Sequence, residues 1–371
     1  LKIVSYYIGL NTSTLVLVFG SFITFALAWL IVRIRYRKRG GFQIEKITNI
    51  QISRLRIWLN RFLKIWLIGI FITVIIQKGF PLLWMILGVG KTYADFGFSS
   101  IHGFLTSLYC FCILGYFLIY LKTKETKYLK TILLLMLYPI LAVNRGVFVV
   151  VLFELLGLYL LTHKIRYKNI FRVLLLLFSF IYIFGALGDY RLNYKTDFLY
   201  GWISEDYKES FDKIPSGFLW SYIYFTAPLD NIVYNIDKIK PLYFPYHSTS
   251  SLFPTVIRQI IYEDKGYEDN YSLKMSNPVI NTFTYFANYI KDFGKIFTLF
   301  IFFNIQLYVY YSYVRAKNNN LGALLVYPVF YMALLLSTFT DYFSSLVIIF
   351  QIFLAFYVGH RISKTKIQIY A

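Results

Sequence analysis

Residues 129–161 read LKTILLLMLYPILAVNRGVFVVVLFELLGLYLL. Two apolar runs, Leu129–Val143 and Val147–Leu161, flank the tripeptide Asn144-Arg145-Gly146. Continuous apolar runs of this kind are typical of helices that cross a membrane. Each run has about 15 residues, which at 1.5 Å per residue is shorter than the roughly 30 Å hydrocarbon core. We therefore predict a tight hairpin of two short spans that draws Arg145 below the outer membrane surface. For Glu154, deeper in the second span, we predict a polar contact between helices.

The composition of the whole chain supports the same class of protein. Of its 371 residues 58% are hydrophobic, and its net charge is +20. Residues 187–280 hold 12 of the 18 acidic residues but only 9 of the 38 basic ones, so the positive charge lies elsewhere, in short connectors. This is the distribution that the positive-inside bias produces. The basic balance therefore indicates a multi-span membrane protein and not a nucleic-acid-binding one.

The apolar runs predict nine spans and an all-α, polytopic membrane domain over residues 1–371. Basic residues follow the first, third, fifth, seventh and ninth spans, which places those ends in the cytoplasm. One long polar stretch, residues 188–280, then lies outside as a loop between the sixth and seventh spans. The predicted spans are about Thr14–Val32, Trp58–Gln77, Ile101–Leu121, Leu129–Val143, Val147–Leu161, Phe171–Leu187, Lys295–Tyr311, Leu321–Phe339 and Ser345–Val358.

The candidate site consists of arginines and proton acceptors on the outer side. Arg145 at the hairpin, Arg191 at the exit of the sixth span and Arg258 in the loop are the predicted cations for a diphosphate. His247, the loop's histidine, and Asp292, at the entry to the seventh span, are the predicted groups that steer or deprotonate a hydroxyl. Other interpretations stay open: Arg145 as a snorkelling residue, His247 as structural, and Asp292 as a partner of the helix dipole.

The loop also contains a predicted amphipathic helix from Pro215 to Pro228, either a packing lid or one wall of a substrate groove. We predict that the groove is lined by Trp220, Tyr222, Tyr285 and Asn288. No pattern for a nucleophilic triad, a phosphate-binding loop or a zinc site is present, so no cofactor and no metal are predicted.

Four features of the chain resemble the Wzy-type O-antigen and oligosaccharide repeat-unit polymerases of bacteria. They are the sequence from Tyr93-Ala-Asp-Phe-Gly to His102-Gly103, the Asn144-Arg145-Gly146 hairpin, the loop with Trp220-Ser-Tyr-Ile-Tyr and Pro228-Leu-Asp-Asn231, and the return from Asn281-Thr-Phe-Thr to Lys291-Asp292-Phe293-Gly294. The N-terminus predicted here lies outside unless a further span precedes Leu1, whereas members of that family usually begin in the cytoplasm.

The resemblance implies a fold similar to the metal-independent membrane glycosyltransferases, the glycosyltransferase-C-like class. It implies an inner-membrane enzyme whose active site faces the periplasm. Its donor and acceptor would be undecaprenyl-diphosphate-linked oligosaccharides, which it joins with inversion into O-antigen or a related surface polysaccharide. Membrane lipid and a chain-length regulator are the other expected partners.

Three alternatives remain at this point. An O-antigen ligase would use lipid A core as acceptor. A metal-using polyprenyl-phosphate-sugar transferase usually carries paired acidic residues in its first outer loop, where Asp95 stands alone. A flippase or transporter of lipid-linked glycans is expected to carry charged residues along several spans. Here the predicted spans have almost no charged residues apart from Glu154.

The predicted orientation can be tested with fusions. A periplasmic reporter fused after Lys240 should be active, and the same reporter fused after Arg39 should be silent, because the basic connector around Arg39 stays in the cytoplasm. The opposite pattern would reverse the orientation and move the candidate site to the other compartment.

Overall fold

The computed structural model describes residues 9–36, 44–99, 101–163, 201–211, 215–262 and 282–364, with isolated residues between 171 and 185 and at 273 and 275. Within these residues the protein is helical. Its α-helices are α1 (Thr12–Arg35), α2 (Asn49–Gln77), α3 (Pro81–Leu87), α4 (Ile101–Thr123), α5 (Thr126–Leu135), α6 (Leu137–Leu141), α7 (Arg145–Thr162), α8 (Lys208–Phe211), α9 (Ser216–Asn235), α10 (Tyr246–Thr249), α11 (Thr255–Tyr262), α12 (Phe286–Lys317), α13 (Leu321–Leu335) and α14 (Leu346–Lys364).

Seven helical segments of the described residues are long and apolar enough to cross a membrane. They contain α1, α2, α4, α7, α12, α13 and α14. Seven of the nine predicted spans are therefore confirmed, and the protein is a multi-pass membrane protein. Most of the sixth predicted span, Phe171–Leu187, lies outside the described residues. Two residues of it that are described, Ile181 and Gly185, pack against Gly217 of α9.

The fourth predicted span is not one continuous helix. It is divided at Met136 into α5 and α6. Pro139 has no N–H to offer the carbonyl of Leu135, four residues earlier, so one helical hydrogen bond is lost where the helix is divided. The hydroxyl of Tyr109 on α4 donates to this carbonyl at 3.1 Å. A neighbouring helix thus satisfies the backbone group that the proline leaves free, as a membrane interior requires.

Helix α4 lies at the centre of the bundle, since its residues 105–116 are buried without interruption. It packs against α2, α5, α7 and α14, and α12, α13 and α14 follow one another around it. By contrast, α1 packs along α12 and leaves most of its apolar side chains exposed, which is the surface expected to face lipid. Arg145, Phe286 and Leu346 all begin helices at one end of the bundle, which we call the Arg145 end.

The predicted interhelical contact of Glu154 is confirmed. Glu154 and Gln351 are buried on α7 and α14, and the Gln351 Nε2 atom donates to Glu154 Oε2 at 2.8 Å. The hydrogen bond fixes the two helices against each other in the interior. These are the helices whose first residues, Arg145 and Leu346, lie at the Arg145 end.

A second contact between helices depends on glycine. A Cβ atom added at Gly359 of α14 would lie 2.3 Å from the Cα atom of Gly322 on α13, which is closer than real Cβ contacts come. A Cβ atom added at Gly103 on α4 would meet only Leu346 and Val347 side chains, at 3.7 and 3.8 Å. Backbone atoms cannot move aside as a side chain can.

We therefore expect Gly359→Ala to lower the free energy of unfolding by about 1–3 kcal/mol, the usual cost of overpacking. Gly103→Ala is the matched control and should leave stability nearly unchanged. The measurement is the melting temperature of each purified variant in detergent. Equal melting temperatures for the two variants would show that α13 and α14 can separate without cost.

Candidate functional site

Asp292 joins the transmembrane bundle to the polar segment that precedes it. Its side chain is fully buried near the start of α12. One carboxylate oxygen accepts from the backbone N–H of His247 at 2.9 Å, and the other accepts from the N–H and the hydroxyl of Ser248 at 2.7 and 2.6 Å. These charge-assisted hydrogen bonds hold the short helix α10 against α12. Asp292 and His247 are thus adjacent, as their assignment to one site requires.

His247 binds Asp292 through its backbone N–H, and its imidazole ring has other neighbours. The ring is buried and packs edge-on against Tyr246, with 4.8 Å between ring centroids. Tyr246 in turn packs against Tyr262 at the end of α11, 5.1 Å away. The structure therefore places the His247 ring at the edge of an aromatic cluster in the same segment.

Asp341 is a second carboxylate at this end of the bundle, and the sequence analysis did not select it as a site residue. It accepts from the backbone N–H groups of Phe343 and Ser344 at 3.0 and 3.2 Å and from the Ser344 hydroxyl. The side chain of Asn288 on α12 donates to it at 3.2 Å. Burial raises the pKa of Asp341 to about 6, and the hydrogen bonds from Ser344 and Asn288 offset part of that rise. The Asp-x-x-Ser spacing of a capping turn was the one sequence signal available.

Serine and tyrosine side chains form further hydrogen bonds between the two carboxylates. The hydroxyl groups of Tyr289 and Ser344 lie 3.2 Å apart, and the Ser251 hydroxyl donates to the Ser344 carbonyl. Ser251 belongs to the same segment as Ser248, which binds Asp292. The hydrogen bonds around Asp292 and those around Asp341 are therefore joined through the backbone of residues 248–251 into one polar network near the first turns of α12.

Arg145 lies beside Trp220, another predicted site residue. It is the first residue of α7, which the side chain of Asn144 caps by accepting from the Val147 N–H at 3.1 Å. The guanidinium carbon lies 5.7 Å from the centre of the Trp220 ring, within the range of a cation–π interaction. This contact fixes the predicted cation against α9, so Arg145 is partly buried instead of extended into solvent.

A row of aromatic rings leads from Arg145 toward Asp341. Trp220 packs against Tyr224 with centroids 5.9 Å apart, and Tyr224 packs against Phe339 at 5.2 Å. Phe339 precedes Asp341 by two residues. Tyr222, the other predicted groove residue on α9, is half-buried against the same cluster. The predicted helix Pro215–Pro228 is confirmed as part of α9, which continues through Pro228 to Asn235.

The remaining predicted site residues have different surroundings. Asn288 belongs to the polar network through Asp341. Tyr285 is 1% exposed and stacks among Tyr289 and Phe302 at 4.6 and 4.7 Å, so its ring lies in the packed core and not at a surface. Arg258 is a partly buried residue of α11. Arg191 lies outside the described residues.

Metal-binding groups are not clustered in the part of the chain that the structure describes. No set of three His, Cys, Asp or Glu residues there could hold a metal ion. Cys110 and Cys112 are free and buried in α4.

Comparison of the chain with protein-family models, with curated proteins and with solved structures finds no match. The functional argument therefore rests on the residues themselves and on their arrangement.

The raised pKa of Asp341 predicts a pH-dependent effect of its replacement. Between its ordinary value of 3.8 and about 6, the folded protein holds the Asp341 proton and the unfolded chain does not, so wild-type stability falls as pH rises through this window. Asp341→Asn has no such proton. Its free energy of unfolding relative to wild type should therefore increase from about pH 4 to about pH 7, by at most about 3 kcal/mol.

Asp95→Asn supplies a control of opposite sign. The backbone and side chain of Thr92 lower the pKa of exposed Asp95, so this carboxylate stabilises the fold at higher pH and loses that effect as pH falls. Thermal unfolding of both variants across the pH range provides the measurement. A constant difference between Asp341→Asn and wild type would show that Asp341 titrates as in water.

Proposed function

We propose that this protein is a membrane glycosyltransferase that polymerises undecaprenyl-diphosphate-linked oligosaccharide repeat units, as the resemblance to Wzy-type polymerases implies. The observation that carries the proposal is the arrangement at the Arg145 end of a multi-pass bundle. There a partly buried arginine rests on a tryptophan, and contiguous aromatic contacts lead to a network with two carboxylates. A diphosphate, a sugar and an attacking hydroxyl each find a matching group in that arrangement.

The proposed reaction is an inverting displacement. A hydroxyl of the acceptor's terminal sugar attacks the anomeric carbon of the donor, and the bond from that carbon to the diphosphate oxygen breaks. The lipid diphosphate leaves with the electron pair, and the hydroxyl proton passes to a protein base. Cations stabilise the negative charge that develops on the leaving group, and a carboxylate or an imidazole accepts the proton.

The residues take roles that follow from their charge. Arg145, with Arg191 and Arg258, holds the diphosphate, because a planar guanidinium can form two hydrogen bonds with a phosphate group. Asp292 or His247 steers or deprotonates the hydroxyl. The position of Asn288 beside Asp341 supports a part for it in the groove, together with Trp220 and Tyr222. Tyr285 takes no direct part in the groove in this proposal, because its ring packs against Tyr289 within the core.

The proposal includes a glycosyltransferase-C-like fold, residence in the bacterial inner membrane and a site that faces the periplasm. The partners are donor and acceptor lipid-linked oligosaccharides, bilayer lipid and a chain-length regulator. An O-antigen ligase would use the same chemistry with lipid A core as acceptor, so the acceptor that is consumed discriminates the two. A flippase would move the lipid-linked oligosaccharide without changing its length.

Purified protein in liposomes should convert lipid-linked repeat units into a ladder of polymer lengths in the presence of excess EDTA. No metal enters the proposed step, so the ladder should not depend on Mg²⁺ or Mn²⁺. Loss of the ladder on chelation and recovery with either ion would move the protein to the metal-using transferases. Transport of the unit across the bilayer without a ladder would favour the flippase.

Arg145→Ala should slow polymerisation about 30- to 800-fold, as expected if the arginine contributes about 2–4 kcal/mol to the transition state. Arg145→Lys should recover only part of the rate, because an ammonium group keeps the charge and loses the planar fork. Arg61→Ala is a matched control, since Arg61 also lies over a tryptophan, Trp58, at 5.8 Å. Full activity of Arg145→Ala would show that Arg145 only anchors α7.

Asp292→Asn should abolish polymerisation and leave binding of the lipid-linked donor to the liposomes nearly intact, because the proposed mechanism assigns Asp292 to the hydroxyl and not to the phosphates. Ser248→Ala is its control. That change removes one hydrogen bond to Asp292 and keeps the carboxylate. If Ser248→Ala is as inactive as Asp292→Asn, the carboxylate acts by holding α10 and not by accepting a proton.

A further inference from the structure

Residues 241–262, which we call the cap segment, are fixed to α12 where that helix changes direction. Gly294 has a φ of 77°, and a Cβ atom there would lie 3.1 Å from Cγ of Pro241. The N–H of Leu242 donates to the Lys291 carbonyl at 2.9 Å, and Asp292 holds α10. The cap segment is therefore held at a defined height on the bundle and is not a free loop.

That height coincides with the start of the lipid-facing surface of α12. The exposed apolar residues of α12 are Ile296, Phe297 and Phe300, at 83%, 60% and 61%. The first of them, Ile296, lies roughly 3 Å beyond Gly294 along the helix. Lys295, between them, pairs with Asp237 at 2.7 Å. The polar pair and the apolar side chains that follow mark the boundary between the headgroup layer and the hydrocarbon.

The cap segment exposes large apolar side chains of its own. Tyr243 is 78% exposed and has a φ of 54°, a left-handed conformation that is rare and costly for a bulky residue. Phe244 beside it is 38% exposed. On α11, Ile257 and Ile260 are 43% and 64% exposed and lie three positions apart, which puts them on one face.

The opposite face of α11 is anchored within the protein. Tyr262 is buried, its hydroxyl lies 2.7 Å from the Thr249 hydroxyl, and its ring packs against Phe244, Tyr246 and Phe253. Helix α11 is therefore oriented so that its isoleucines point away from the packed side chains. Its arginine, Arg258, lies between the two isoleucines in sequence.

We propose that the cap segment docks on the lipid bilayer, with Tyr243, Phe244, Ile257 and Ile260 inserted at the boundary of headgroups and acyl chains. An apolar face with an aromatic ring and a cation beside it has the composition of an interfacial anchor. The Tyr243 end of this surface adjoins the lipid-facing side of α12, because Pro241 contacts Gly294 and Leu242 bonds to Lys291 just before the exposed residues of that helix. Docking places His247 and Asp292, which the cap segment and α12 bring together, at the depth of lipid phosphates. The inference does not depend on the proposed enzyme activity.

The test measures the depth of nitroxide labels in protein reconstituted into lipid nanodiscs. Labels are placed singly through Tyr243→Cys and Ile260→Cys, in a background where the buried Cys110 and Cys112 are replaced by alanine. Collision rates with oxygen, which concentrates in lipid, and with a water-soluble nickel complex are then compared. Phe297→Cys on the lipid-facing side of α12 and Glu205→Cys, whose side chain is 85% exposed, are the lipid and water references.

Both cap labels should resemble the Phe297 label, with oxygen collisions favoured severalfold over the Glu205 label. Labels that resemble Glu205 would show that the cap segment faces water, and labels shielded from both reagents would show that protein covers it, such as a second copy of the chain. Either result overturns the proposal. If Tyr243→Cys lowers the melting temperature, Ile260→Cys still decides, because the Ile260 side chain is 64% exposed.

Discussion

The carboxylate of Asp292 carries the connection between the membrane bundle and the cap segment. Three hydrogen bonds from His247 and Ser248 occupy its two oxygens in a site that excludes water. An ionised carboxylate is stable in such a site only when donors surround it, because the cost of removing it from water is otherwise too high. The backbone N–H groups at the start of α10 also need Asp292, because a buried N–H group requires an acceptor. Each side of the contact therefore depends on the other, and the position of His247 follows from this mutual requirement.

Elsewhere in the bundle the same rule governs how polar groups are accommodated among apolar helices. The carbonyl that Pro139 leaves without its helical partner is met by Tyr109, and Gln351 meets Glu154. Both contacts join α4 or α14 to a helix that leads to or from the Arg145 hairpin. Because lipid offers no hydrogen bonds, such contacts favour packed helices over separated ones. They hold α5 against α4 and α7 against α14, while the contact with Trp220 fixes Arg145 against α9.

The spans could be predicted from sequence because hydrocarbon selects for uninterrupted apolar runs, and the runs of α1, α2, α4, α7, α12, α13 and α14 are long enough to show it. The residues at which these helices begin and end were harder to predict from the sequence. Helix α12 begins at Phe286 and not near Lys295, because the Tyr285 N–H bonds to the Ser337 carbonyl and a kink at Gly294 joins two helical pieces. The sequence predicted that Asp292 and His247 lie on the same side of the membrane, but not that they are in contact. The contact of Asp341 with Asn288 could not be predicted from the sequence, because the two residues are distant along the chain. Only the packing of α12 against the Asp341 turn brings them together.

The two carboxylates differ in a way that bears on any chemistry at this end. Asp292 is enclosed, and the donors that occupy its two oxygens also hold the backbone of α10 in place. Asp341 is only partly buried, and its pKa of about 6 allows it to exchange a proton near neutral pH without leaving its turn. A site that must both hold a segment in place and accept a proton is better served by two acids with separate environments than by one. The Ser344 hydroxyl donates to Asp341 and lies 3.2 Å from the Tyr289 hydroxyl on α12, so a proton gained or lost at Asp341 changes hydrogen bonds that reach this helix without requiring the helix to move.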